Sequence, residues 1–189
     1  MESLQQRLAS FPPGRCEPMQ IPALLAERGY SLRAARDSDL PWLHDLYAST
    51  RAEELATLPW PANMKRAFTD QQFRLQHQHY LSHYLGTDFL VIEQAKTPVG
   101  RYYLQQDAAS DYLVVDISLL PEEQGKGIGS ELIRQTQRDA ATHGAIVSLH
   151  VHHMNPRARQ LYERLGFDAK DTTATHVAMR WQPDRTTVS

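Results

Sequence analysis

From Tyr30 the chain alternates apolar and polar positions through Ser31, Leu32, Arg33 and Ala34, the period of a half-buried strand. Asp37 or Ser38 can then cap a helix whose first turn holds Pro41, with Leu40, Leu43, Leu46 and Tyr47 at helical spacing through about Leu58. Pro59 and Pro61 interrupt that period. A second helix is predicted from about Ala62 to Tyr84, carrying Phe68, Phe73, Leu75, Tyr80, Leu81 and Tyr84 and stopped by Gly86. Three strand-like runs follow, Asp88 to Gln94, Val99 to Gln105 and Tyr112 to Leu120, separated by short polar turns as in an antiparallel meander. After a glycine-rich turn, Leu132, Ile133, Thr136 and Ala140 mark one face of a helix over Gly129 to Thr142, which Gly144 ends. Ala145 to His152 alternates again, Asn155-Pro156 opens a helix through Leu165, Gly166 caps it, and short strands near Phe167 to Ala169 and His176 to Trp181 close the pattern. The order β-α-α-β-β-β-α-β-α-β-β implies a mixed sheet, a meander joined to a βαβ crossover.

Residues 1–29 stand apart: a polar helix over Met1 to Ser10, a break at Phe11-Pro12-Pro13-Gly14, and a helical turn over Pro22 to Arg28 before Gly29. They read as an appendage to a domain over 30–182, and the polar residues 183–189 as a loose tail. A length of 189 residues suits one domain, and 41% hydrophobic residues suffice for a core. Twenty basic against 22 acidic residues leave a formal charge of -2, so no global field draws nucleic acid or anionic lipid. The one cysteine, Cys16, cannot form an intramolecular disulfide, and no basic-then-apolar leader opens the chain, so a reducing cytoplasm is expected. The longest apolar runs, such as Leu113 to Val115, fall far short of the roughly 20 residues that span a bilayer, and no membrane association is expected.

Candidate chemistry concentrates at Leu119 to Gly129. A strand runs in and a helix runs out, so the turn offers free backbone N–H groups at the positive end of a helix dipole, where phosphates bind. Gly127 and Gly129 remove Cβ atoms there, and Lys126 adds a cation. A short glycine pattern can equally be no more than a tight turn. It lacks the third glycine of the dinucleotide fingerprint at Ser130 and has no GKS or GKT.

Gln124-x-x-Gly127-x-Gly129 resembles the coenzyme A diphosphate loop of the GNAT (Gcn5-related) N-acetyltransferases, whose motif is Arg or Gln, two residues, Gly, one residue, then Gly or Ala. Downstream, Asn155-Pro156-x-Ala158-x-x-Leu161-Tyr162-Glu163-x-Leu165-Gly166-Phe167 is similar to the second signature of that family. The resemblance covers about Tyr30 to Trp181. It implies an α/β (α+β) fold with a mostly antiparallel sheet of six to seven strands flanked by helices, and acetyl-CoA as cofactor.

By the same resemblance, the strand ending at Leu120 splays from the one at Ile146 to His152 and the pantetheine arm lies in the opening. Backbone groups of Ile117 and Leu119 would bond that arm, and the amides of Gln124, Gly125, Lys126, Gly127, Ile128, Gly129 and Ser130 would hold the diphosphate. Asn155 would cap its helix or bond the pantetheine. Tyr162 matches the family's acid for the departing thiolate, against the alternative of a tyrosine packed on the sheet. Acetyl transfer also needs a base for the amine. Asp116, alone among apolar neighbours on its strand, is the first choice, the alternative being a structural buried carboxylate bonded to a neighbouring strand or to an arginine. Glu53 comes next and then Glu54, either of which can be simply solvated. His150 and His152 share a strand face, but two ligands do not close a zinc site, so no metal is expected.

The function implied is direct acetyl transfer from acetyl-CoA to a primary amine of a small molecule or a protein. Rival readings are a non-catalytic coenzyme A-binding regulatory module and a structural protein that assembles through residues 1–29; a homodimer is allowed. Arg51, Arg66, Arg74, Glu53, Glu54 and three histidines mix both signs between Ala48 and Gly86, so no acceptor is singled out.

Overall fold

The computed structural model describes residues 8–14, 19–107 and 111–183. Its elements are α1 (Ala23–Ala26), β1 (Tyr30–Ala34), α2 (Leu40–Thr50), α3 (Ala52–Ala56), α4 (Ala62–His83), β2 (Thr87–Gln94), β3 (Thr97–Asp107), β4 (Asp111–Leu119), α5 (Ile128–Thr142), β5 (Ile146–His152), α6 (Pro156–Arg164), β6 (Asp168–Thr172) and β7 (His176–Trp181). The helix expected through Leu58 is two helices, broken at Arg51, where φ is -103° and ψ is -1°. Ser49 and Thr50 hydroxyls donate back to the Leu46 and Tyr47 carbonyls at 2.7 Å each, competing with the helix ladder at that point.

Seven strands form one sheet in the order β1-β2-β3-β4-β5-β7-β6. All neighbours are antiparallel except β4 and β5, which α5 joins by a crossover. The β2–β3 hairpin turns on Ala95 and Lys96, both at positive φ (48° and 69°), the geometry that matches the strands' right-handed twist. Between β4 and β5 pairing stops early. Asp111 to Val114 lies beside Ile146 to Leu149, and beyond that point the strands part. A bulge sits at the same place: Leu104 opposes Val114 and Tyr103 opposes Asp116, leaving Val115 as the extra residue. Such a bulge bends its strand, which accounts for the parting.

The larger core lies on one sheet face, where Ile128, Leu132, Ile133 and Ala140 of α5 and Tyr162 of α6 meet Val114, Leu149 and Val151. On the other face α2 and α4 pack over β2 and β3 through Trp42, Tyr80, Phe89, Val91 and Tyr103. His44 of α2 clamps α4, its Nε2 lying 2.7 Å from Asp70 Oδ1 while Nδ1 accepts from Arg66 at 2.9 Å. The N-terminal segment joins both cores. Leu25 is fully buried in the larger one, and Phe11 packs edge-on to His77 at 4.9 Å, whose Nε2 donates to the Ala9 carbonyl. Residues 8–10 are not helical; residues 1–7 of the expected first helix, Cys16, and 184–189 of the tail lie outside the described residues. Among the described residues no helix is long and apolar enough to cross a membrane.

Candidate active site

Gly127 is the N-cap of α5, in the left-handed region at φ 82°, and no side chain caps the helix. Among the described residues no acceptor takes the backbone N–H groups from Gly125 to Ser130; the helix ladder begins with Glu131 donating to the Gly127 carbonyl. These amides surround open space: a Cβ placed on Gly127 would meet nothing within 4 Å. Gly129 differs. Its Cβ would stand 3.2 Å from Ile117 Cδ1, so its missing side chain serves helix-to-strand packing rather than ligand room. An anion fits this cradle, since the amides and the dipole both favour negative charge and no described residue comes within 4 Å of a Cβ on Gly127.

Lys126 does not stand free beside it. Its ammonium lies 2.8 Å from Glu123 Oε1, and Glu123 Oε2 accepts from the Tyr30 hydroxyl at 2.7 Å. Those bonds, Lys126's first, hold the Glu123 carboxyl below the usual range, and the same pairing raises the Lys126 ammonium. Gln124 Nε2 donates to the Leu119 carbonyl at 3.1 Å, pinning the loop to the end of β4. Arg28, from the turn before β1, donates to the Lys126 carbonyl at 3.1 Å. Sequence reading missed Arg28, Tyr30 and Glu123, which no local motif connects.

Ile117 and Leu119 lie on the parted half of β4, beyond the last pair with β5. Asp116 precedes Ile117 on the same strand and faces α4. Its carboxylate accepts from Arg101 Nε (3.0 Å) and Nη2 (2.9 Å), from the Tyr80 hydroxyl (2.8 Å) and from Ser118 (2.8 Å). Arg101 is 2% exposed, donates also to Gln76, and lies over the Tyr103 ring at 5.1 Å. Burial and then the Asp116 charge push the Tyr80 phenol up, so it remains a donor. With these four bonds, Asp116 has the form of the structural alternative rather than of a free base.

Tyr162, on α6, is buried in the larger core at 7% exposure, its ring 6.0 Å from that of Phe167. Burial first, and the Asp116 charge second, push its phenol up to about 12. Its hydroxyl bonds to nothing among the described residues. Asn155 caps α6, accepting from Ala158 N at 3.0 Å. Glu53 is exposed on α3 without a partner among the described residues, while Glu54 pairs with Arg51 at 2.9 Å. Asp116 therefore sits on the α4 side of β4 with Tyr80 and Arg101, Tyr162 is buried in the core under α5 and α6 yet within reach of the Asp116 charge, the amide cradle follows the end of β4, and Glu53 lies on α3. His150 and His152 face solvent from β5, opposite its buried Leu149 and Val151, with His176 at 4.9 Å from His152.

A mostly antiparallel seven-stranded sheet flanked by helices, parted between β4 and β5 beside free amides at a helix N-terminus, defines a class of mixed α/β fold. The family model of the GNAT acetyltransferases matches residues 45–167, and the chain belongs to that family. PaiA N-acetyltransferase from Thermoplasma acidophilum, solved in complex with coenzyme A, is similar over 82% of this chain and 99% of its own, at 19% identity and a TM-score of 0.61. RimL, a ribosomal L7/L12 alpha-N-protein acetyltransferase, is similar over 93% and 100%, at 16% identity and a TM-score of 0.60. Spermidine N-acetyltransferase from Vibrio cholerae, in complex with coenzyme A and spermine, is similar over 82% and 95%, at 23% identity and a TM-score of 0.53. The comparison with curated proteins gave no match.

Proposed function

We propose that this chain is an acetyl-CoA-dependent N-acetyltransferase that works by direct transfer to a primary amine, with residues 30–182 as the catalytic unit. The observation that carries this is the free amide cradle, Gly125 to Ser130, at the end of a strand whose edge is open from Val115 onward. Acetyl-CoA supplies the acetyl group as a thioester. The cradle holds its diphosphate, Gln124 fixes the loop, and the open edge at Ile117 and Leu119 offers backbone groups to the pantetheine arm. Asn155 spends its Oδ1 on the cap and keeps its Nδ2 for the same arm. Tyr162, protonated throughout the physiological range, gives its proton to the departing sulfur.

Asp116 orients Tyr80 and Arg101 along the wall of the opening. The acceptor's ammonium must lose a proton before it attacks. Among the acids of α2 and α3, Asp45 and Glu54 are paired with arginines and Glu53 is free to take it. A location in a reducing cytoplasm belongs to this reading, supported by the single cysteine. The bound state of Asp116 favours a second reading, a coenzyme A-binding module without turnover. Incubation with acetyl-CoA and a panel of polyamines and peptide α-amines, reading released thiol and acetylated amine, separates the two. Transfer above the uncatalysed rate supports the enzyme; tight binding with no transfer to any amine supports the module.

A further inference from the structure

The charges around the cradle do not balance. Lys126 is paired with Glu123, whose charge also acts on Arg28 at longer range, yet two arginines from distant parts of the chain reach the same loop with no carboxylate within 4 Å of either among the described residues. Arg28 approaches from the turn between α1 and β1. Its Nη1 donates to the Lys126 carbonyl, and its guanidinium lies 5.2 Å from the centre of the Tyr30 ring. Arg157 approaches from the first turn of α6, and its Nη2 would lie 3.3 Å from a Cβ on Gly125. Both converge on Gly125 and Lys126, at the entry of the loop. The open space lies further on, above Gly127 at the helix terminus. Two sets of anion-binding groups therefore stand side by side: neutral amides at the terminus and guanidinium forks at the entry.

Amides at a helix end suit a diphosphate. A phosphomonoester is a compact dianion at neutral pH and is better matched by forked guanidinium donors. We infer that Arg28 and Arg157 form a second phosphate subsite that holds the 3′-phosphate on the ribose of coenzyme A, separate from the cradle for its diphosphate. This inference rests on the reading that the chain binds acetyl-CoA. Arg28 is held ready by Tyr30 and the Lys126 carbonyl, so little side-chain entropy is lost when its remaining N–H groups engage the ligand. The subsite makes the protein select 3′-phosphorylated thioesters over their 3′-dephospho forms.

Calorimetric titration of the full chain with acetyl-CoA and with 3′-dephospho-acetyl-CoA tests this on wild type, Arg157→Gln and Arg28→Gln. Arg157 is exposed, so its replacement leaves the fold intact. Wild type is expected to prefer acetyl-CoA by about a hundredfold, and Arg157→Gln to lose about tenfold of that preference, leaving dephospho-ligand affinity within about twofold. Arg28→Gln is expected to lower the preference similarly. An unchanged ratio in both variants overturns the inference, and so does an equal loss for both ligands, which would assign the arginines to the diphosphate. If wild type binds neither ligand, the functional reading fails and the subsite with it. If wild type binds both with equal affinity, only the subsite fails.

Discussion

Asp116→Ala removes the carboxylate paired with the buried Arg101. Arg101 is 2% exposed and would be left with the Gln76 carbonyl oxygen as its other side-chain acceptor, while the Tyr80 and Ser118 hydroxyls would lose theirs. Breaking a buried ion pair from one side costs roughly 3–5 kcal/mol, far more than the pair's net worth, because the remaining charge stays desolvated. The Asp116 side chain is itself 11% exposed, so water can relieve part of this and about 3 kcal/mol is expected. For a chain of this size that corresponds to a melting point lower by about 6–12 °C. Urea unfolding followed by circular dichroism gives the free energy directly, and Asp116→Asn, which keeps one acceptor and the volume, should lose less. If Asp116→Ala stays within about 1 kcal/mol of wild type, the ion pair is not structural, and the argument that Asp116 is withheld from proton transfer falls with it.

Tyr162→Phe should lower kcat by about 10²-fold to 10³-fold while leaving the Kd of acetyl-CoA within about threefold; equal losses in both would mean the ring packs and the hydroxyl does nothing. Glu53→Gln, assayed on whichever amine is acetylated, should cut kcat/KM at neutral pH by at least about tenfold, and an unchanged pH profile would assign the proton to water. On acidification the protein should lose stability. Asp39 is held low by its hydrogen bonds from Arg33 and Glu123 by its bond from Lys126, so both carboxyls bind protons more weakly folded than unfolded. Their contribution is complete above the unfolded values near about 4 and vanishes as pH falls through the folded ones; a urea midpoint that stays flat from about pH 5 to about pH 3 would contradict this.

The parts of the molecule fixed by local rules were legible in the sequence. The glycine-rich turn, the Asn155 cap and the strand alternation around Leu149 each depend on residues a few positions apart, and the structure holds them near the expected boundaries. The parting of β4 and β5 entered only through family resemblance, since the bulge at Val115 leaves no trace in the apolar residues Leu113 to Val115. What escaped was long-range. Arg28 meets a carbonyl 98 positions away, and Tyr30 meets a carboxylate 93 positions away, so neither is visible in any window. Asp116 was conspicuous as a charge among apolar neighbours, but its partner Arg101 faces it only across the β3–β4 hairpin, and the cluster is closed by Tyr80 from α4. The break at Arg51 was hidden because Ser49 and Thr50 fit a helix by composition and end it through their own hydroxyls.

In the proposed function the amides from Gly125 to Ser130 hold the diphosphate of acetyl-CoA. Calorimetric titration with acetyl-CoA tests it most directly, comparing wild type with Gly127→Glu and with Gly127→Ala, which shares the backbone strain at positive φ without the charge. Micromolar binding by wild type, weakened modestly in Gly127→Ala and abolished in a folded Gly127→Glu, is the predicted result. Absence of binding to wild type, or full affinity in Gly127→Glu, would mean that these amides do not hold the cofactor.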